Sequence, residues 1–398
     1  MSADFSQHFH ANPSRRRKIA DFVTVIFFFG LLGSPLTALL LGNVSEISNP
    51  ENRRLAEPPA LEARWESWAS FPRRSENYFD DHLGFRETMI RNFARLNLAA
   101  FGVSPSDKLV VGREGWLFFG DENAIAGYRG TDPLSPGELA HWRSVLEERR
   151  DWLTERGIAY LVILVPDKHE FYAEYMPASL PRATDIHPMD QLVDFLAEHS
   201  DIEILDLRPA LEAEKLKRRV YHRTDTHWND AGAHAAYRAI LRRLDALLPG
   251  IENAQPARVK RGQYDAPGLG LAGLVGLEDV LREEVLSARL IRPRAEVARE
   301  HRAHYKQRTR TLQPLAHGVA NPKLPRAVMF RDSFGNALIP YLSEHFRRIL
   351  YVWNRDVDPE VVVVEKPDIV IQQIVGRFLP RRPRTVAELQ AASAAETR

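Results

Sequence analysis

The 398-residue sequence contains no cysteine. That excludes disulfides, thiolate zinc sites and cysteine nucleophiles, and leaves the compartment open. It also lacks an excess of either charge. Fifty-four Lys and Arg face 53 Asp and Glu, for a net charge of +1, so overall charge gives no ground for nucleic-acid binding. No internal repeat is present. The apolar share of 44% and the charged share of 27% are those of an ordinary globular protein. The length suits one large domain or two smaller ones.

Long apolar runs are confined to one place. Arg15, Arg16, Arg17 and Lys18 precede Phe22–Gly42, which holds 21 residues without a charge. An α-helix of that length crosses the hydrocarbon core of a bilayer. The basic cluster on its N-terminal side predicts a cytoplasmic N-terminus and an exported remainder. The rival reading is a cleaved signal peptide. Its apolar region would be shorter, about 7–15 residues, and would end in a small-x-small site, for which we find no match.

Asn43–Arg73, with Pro50, Pro58, Pro59 and Pro72, reads as a linker. Helical spacing of apolar residues predicts a helix over Ser75–Phe101. Leu109–Phe119 reads as two short strands around a turn at Gly112–Gly115. The pattern then alternates. Helices are expected over Pro136–Arg156, Met189–His199 and Ala231–Leu248, and strands over Tyr160–Val165 and Ile202–Leu207. After a break at Pro256–Pro325, strands Arg326–Phe330, Arg348–Trp353 and Asp368–Ile374 flank helices Gly335–His345 and Pro359–Glu365. Such alternation predicts an α/β domain with a mainly parallel sheet flanked by helices. The break reads as an insertion or a small β-rich cap, and it carries an Arg- and His-rich run over residues 289–310. The expected layout is a basic tail (1–21), an anchor (22–42), a linker (43–73), one domain (74–380, with 256–325 inserted) and a polar tail (381–398) that frays.

Two stretches carry candidate chemistry. Val220–Gly232, VYHRTDTHWNDAG, sets Asp225 two positions before His227. Ala327–Asn336, AVMFRDSFGN, sets Ser333 after a predicted strand and before a predicted helix. A serine on such a turn stands above the carboxyl end of the sheet, beside helix N–H groups that stabilise an oxyanion. The hydroxyl needs a base, for which His227 is the candidate, with Asp225 to orient it. In an extended segment residues two apart point the same way, so the pair would share one site. The bland alternatives are a helix N-cap for Ser333 and a packed or solvent-bonded histidine for His227. His222, Asp225, His227 and Asp230 also invite a metal reading, since imidazole and carboxylate ligands suit zinc or manganese.

DTHWNDAG together with RDSFG is similar to the SGNH-hydrolase-like domain of alginate O-acetyltransferases of the AlgJ and AlgX type. Glu51–Leu55, Val111–Phe118, Val165–Pro177 and Lys366–Leu379 add matching segments in the same order. The resemblance implies an SGNH-like fold, with Ser333 as nucleophile, His227 as base and Asp225 as its partner. An acetyl-serine would form and a polysaccharide hydroxyl would attack it. It implies a domain held in the periplasm by a single inner-membrane helix, a membrane acyltransferase that delivers the acetyl group, and no cofactor, metal or nucleic acid. Three departures stand out. Arg331 replaces the glycine of the usual GDS motif, and the Gly and Asn that complete the usual oxyanion hole have no assigned counterpart. The C-terminal sugar-binding module of the AlgX kind has no counterpart either, so the layout is closer to the AlgJ type.

Four residues are expected near substrate, each with a plain alternative. Trp228 is a platform for a sugar ring or a core residue. Arg331 binds an acidic sugar or pairs with Asp332. Lys168 and Tyr172 line the site or belong to a surface loop. The competing functions are an esterase with water as acceptor, and a non-catalytic polysaccharide-binding assembly factor.

Overall fold

A computed structural model describes residues 15–41, 47–48, 53–60, 64–104, 106–121, 123–248, 251, 256–298 and 314–396. The chain divides into two compact units, Met1–Ala99 with Leu274–Gly276, and Ala100–Gly273 with Leu277–Arg398.

In the smaller unit, helix Arg15–Leu41 contains the apolar span Lys18–Leu39, in which no described residue is buried. The helix expected over Ser75–Phe101 is instead two, Trp65–His82 and Arg86–Leu96, the second running into a π turn at Asn97–Phe101. The break lies where Phe85 takes a left-handed φ of 65°, outside the range of a continuing helix. The expected linker therefore ends inside a helix, which carries Pro72 in its interior.

The larger unit is built on a seven-stranded sheet. Its strands are β1 (Ala159–Val165), β2 (Ile204–Asp206), β3 (Glu296–Val297), β4 (Leu315–Gly318), β5 (Arg326–Arg331), β6 (Arg348–Trp353) and β7 (Ile369–Val375). Their spatial order is β2-β1-β7-β5-β6-β4-β3. The first five are mutually parallel, and β4 and β3 add an antiparallel edge. The fold is the α/β class that the alternation predicts. Period-2 packing explains it. Ala327, Met329, Ile349, Tyr351, Ile369 and Ile371 enter one core, while Val328, Phe330, Leu350, Val352 and Val370 enter the other. A sheet buried on both faces needs such continuous apolar runs.

Residues 256–325 are only partly a cap. Val259–Pro267 and Arg282–Leu290 pair as an antiparallel hairpin whose connection holds the short helix Gly270–Gly273. The end of the segment supplies β3 and β4 to the main sheet. Of the Arg- and His-rich run, residues 299–310 lie outside the described residues. The tail is also more ordered than its polarity implied. Val386–Glu396 is a helix, opened by a capping box in which Glu388 N–H donates to Thr385 Oγ1 (3.0 Å) and Thr385 N–H to Glu388 Oε2 (2.8 Å).

Candidate functional site

Asp225 and His227 lie in a closed loop. Tyr221 and Trp228 form an isolated antiparallel bridge, His222 N–H donates to His227 O (3.1 Å) and Asn229 N–H to Val220 O (3.0 Å). The extended geometry expected for the pair is therefore replaced by a turn. The carboxylate itself makes it: Asp225 Oδ1 accepts both the backbone N–H of His227 (2.9 Å) and its ring Nδ1 (2.6 Å). Aspartate favours such self-closing turns. The loop then enters helix Asp230–Leu247, whose N-cap is Asn229, accepting from Ala231 and Gly232 N–H at 2.9 and 3.1 Å. Gly232 is required here, because a Cβ would stand 2.3 Å from Val220 O.

Asp225 is held from a second side by the Gly-rich stretch of the hairpin connection. Gly270 N–H donates to Asp225 Oδ2 (2.9 Å), Leu269 N–H to Thr224 Oγ1 (3.0 Å) and Leu271 N–H to Thr224 O (3.0 Å). Burial works to raise the Asp225 carboxyl. The His227 hydrogen bonds and charge outweigh it and hold the group well below the usual carboxylate range.

Ser333 opens a 3-10 turn, Ser333–Leu338, directly after β5, at the carboxyl end of the sheet. The N-cap is its neighbour. Asp332 Oδ1 accepts from Phe334 N–H (2.9 Å) and Gln373 Nε2 (3.0 Å), and Oδ2 accepts from Val375 N–H (2.9 Å). The bland reading of Ser333 as the cap thus falls to Asp332, and Ser333 itself is half-buried. Phe334 joins the two stretches. Its ring centroid is 5.0 Å from that of His227 and 5.5 Å from that of Trp228. The buried His227 Nε2 has no hydrogen-bond partner among the described residues. It is therefore not hydrogen-bonded to Ser333.

The four expected substrate contacts lie in the interior, none more than 4% exposed. Lys168 Nζ donates to Leu117 O (2.6 Å), Arg223 O (2.8 Å) and Asp225 O (2.8 Å). Three acceptors match the three donors of an ammonium, so Lys168 ties the Leu109–Phe119 hairpin to the His227 loop. Tyr172 Oη accepts from Val220 N–H (3.0 Å). Trp228 packs edge-on against Phe334. Arg331 donates to the Asp332 backbone carbonyl (3.1 Å), not to its carboxylate, and lies 4.9 Å over the Trp353 ring. Each is buried because a partner inside the fold uses its polar end or its ring. The four residues of the metal reading also part company. Asp230 accepts from Ala288 N–H (2.9 Å), His222 faces Glu283 (3.8 Å), and no cluster suited to a metal occurs among the described residues.

Several supports carried no local signal. Glu283, fully buried on the hairpin, accepts from Thr224 N–H (2.9 Å) and Oγ1 (2.8 Å) and pairs with Arg219 (2.7 Å). At the ends of β1 and β7, Asp167 pairs with the Arg377 side chain and backbone N–H, both at 2.6 Å. Burial raises the Glu283 carboxyl. The His222 ring, Arg219 and Thr224 outweigh burial and bring it down to about 2 from the ordinary 4.5. A depressed carboxyl stabilises the fold above its unfolded value and loses that contribution as pH falls through its folded one. Glu283→Gln is therefore expected to cost on the order of 3 kcal/mol at neutral pH. It should also flatten the fall in stability between pH 4.5 and about 2. Urea unfolding across that range checks both.

Comparison with known proteins bears on the chain's family. Residues 109–312 match the family described as the SGNH hydrolase-like domain of acetyltransferase AlgX. That stretch contains Asp225, His227 and Gly270 and ends before Ser333. Curated relatives include the probable alginate O-acetylase AlgJ of Pseudomonas putida, 27% identical over 166 residues, or 42% of this chain and 41% of that protein. The protein of the same description from Pseudomonas syringae pv. tomato is 26% identical over 214 residues, covering 53% and 49%. The chain thus spans at most about half the length of these relatives. Among solved structures, Bacillus cereus PatB1 superposes with a TM-score of 0.50 at 13% identity, covering 69% of this chain and 97% of that one, a likeness of fold. With just over half of the sequence matched, the chain belongs to the AlgX family of SGNH hydrolase-like acetyltransferase domains.

Proposed function

We propose that the chain is an exported O-acetyltransferase acting on an alginate-like polysaccharide through an acetyl-serine at Ser333. The observation that carries this reading is the 2.6 Å hydrogen bond between Asp225 Oδ1 and His227 Nδ1. It fixes the imidazole and leaves the unpartnered Nε2 as its basic end. Ser333 Oγ attacks the acetyl carbonyl carbon of the donor while His227 Nε2 takes its proton. The tetrahedral oxyanion is received by the Ser333 backbone N–H. The Phe334 N–H is not available, because Asp332 already uses it. As the carbon–donor bond breaks, His227 returns the proton to the leaving group. A sugar hydroxyl then attacks the acetyl-serine with His227 again as base, and the proton ends on Ser333 Oγ. Asp225 stays ionised and stabilises the imidazolium at each stage.

The apolar span Lys18–Leu39, with basic residues at its start, supports a single-pass anchor that leaves the larger unit outside the cytoplasm. Acetyl-CoA in the cytoplasm cannot reach such a site, so a membrane acyltransferase would supply the acetyl group. The test is to offer an acetyl ester and alginate oligosaccharides together. Acetylated oligosaccharide is the expected product. Free acetate alone would overturn transfer in favour of hydrolysis.

The clasp on Asp225 makes a sharper prediction. A Cβ on residue 270 would stand 2.5 Å from Asp225 Oδ2, so Gly270→Ala must displace the carboxylate. Misplacement of this size is expected to lower kcat by about 10²-fold with KM little changed. Steady-state kinetics on an acetyl ester checks it, with an unchanged unfolding midpoint as the control.

A further inference from the structure

The helices of the smaller unit leave their apolar surface uncovered. Trp65–His82 is 18 residues long and has no buried residue, and Arg86–Leu96 buries only Ala94. Helices of these lengths are marginal in water unless a face is packed. On the second helix Phe85, Met89, Phe93 and Leu96 are each more than half exposed. Their spacing of four, four and three residues places them on one stripe, opposite Ala94. Trp65 and Trp68 extend the exposed apolar surface on the first helix.

The turn between the helices is tied to the apolar span. Gly84 N–H donates to Pro35 O at 3.2 Å. A Cβ on Gly84 would stand 2.4 Å from both Pro35 O and Ala38 Cβ, so only glycine permits this approach. Pro35 lies four residues before Leu39, the end of the span, or about 6 Å along a helix. Interfacial helices sit about 5–10 Å into the headgroup and acyl boundary. The turn and Phe85 are thus held at the depth where such helices lie.

We propose that Trp65–His82 and Arg86–Leu96 lie on the outer leaflet of the bilayer, with the Phe85–Met89–Phe93–Leu96 stripe inserted into it. The inference rests on reading Lys18–Leu39 as a membrane anchor. The segment from Trp65 to Leu96 carries five arginines and five acidic residues, so apolar insertion and not attraction to anionic lipid drives the contact.

The absence of cysteine allows single nitroxide labels on the full chain. Met89→Cys, Phe93→Cys, Phe27→Cys within the anchor and Glu198→Cys on an exposed helical position would be labelled in phosphatidylcholine nanodiscs. The ratio of oxygen to nickel-chelate collisions would be read for each. Positions 27, 89 and 93 are expected to give ratios severalfold above position 198. Water-like ratios at 89 and 93 with a lipid-like ratio at 27 would overturn the inference, leaving a protein partner as the cover for that face. A water-like ratio at 27 as well would overturn the anchor reading itself.

Discussion

Replacing Ser333 by alanine is expected to lower kcat/KM for an acetyl ester by about 10⁴- to 10⁶-fold while leaving the fold unchanged. The magnitude follows from removing the nucleophile of a charge-assisted triad, whose members act as a unit. The unchanged fold follows from the local bonding. The cap of the Ser333–Leu338 turn is Asp332, which binds Phe334, Gln373 and Val375. The serine hydroxyl carries none of that. Equal unfolding midpoints with collapsed turnover are the expected pair of measurements. Wild-type turnover in the variant would remove the serine from the mechanism.

Asp225→Asn is expected to be almost as severe, with kcat reduced by about 10⁴-fold. Three donors converge on this carboxylate: the His227 backbone N–H, His227 Nδ1 and the Gly270 N–H. An asparagine offers one oxygen and one NH₂, so at least one donor would meet another donor. Either His227 takes the wrong tautomer or Gly270 loses its partner. The His227 donors are part-buried, and leaving one unmet costs up to about 1–3 kcal/mol, whereas the exposed Gly270 N–H can turn to water. This variant, unlike Ser333→Ala, should therefore be less stable if the His227 side loses its acceptor. Kinetics and urea unfolding on the same sample separate the two effects. Loss of stability with normal kcat would make Asp225 a structural residue only.

What the sequence revealed followed the range of each interaction. The strand Arg348–Trp353 and the helix Pro359–Glu365 coincide with their expected bounds, because period and punctuation are local. The pairing of Asp225 with His227 was legible for the same reason. Its geometry was not, since the turn arises from hydrogen bonds that alternation does not encode. The sequence leaves Lys168 between a surface loop and the substrate. Its three acceptors come from Leu117, Arg223 and Asp225, a convergence that exists only in the fold. Glu283 and Gly270 reach the site from a hairpin that the sequence marks only as a break in the pattern. The capping box at Thr385 and Glu388 was a local signal in the Thr-x-x-Glu spacing, obscured by the polarity of the tail. Arg331, standing where related motifs have glycine, is accommodated by lying over Trp353, a contact between neighbouring parallel strands.

The acetyl-serine on which the proposed mechanism turns can be observed directly. The purified chain would be given an acetyl ester without acceptor, quenched in acid, and analysed by intact mass and peptide mapping. One added acetyl group is expected, carried by the peptide containing Ser333, absent from Ser333→Ala and lost on addition of alginate oligosaccharide. Acetyl transfer to the oligosaccharide by wild-type protein that never carries the group on Ser333 would contradict it.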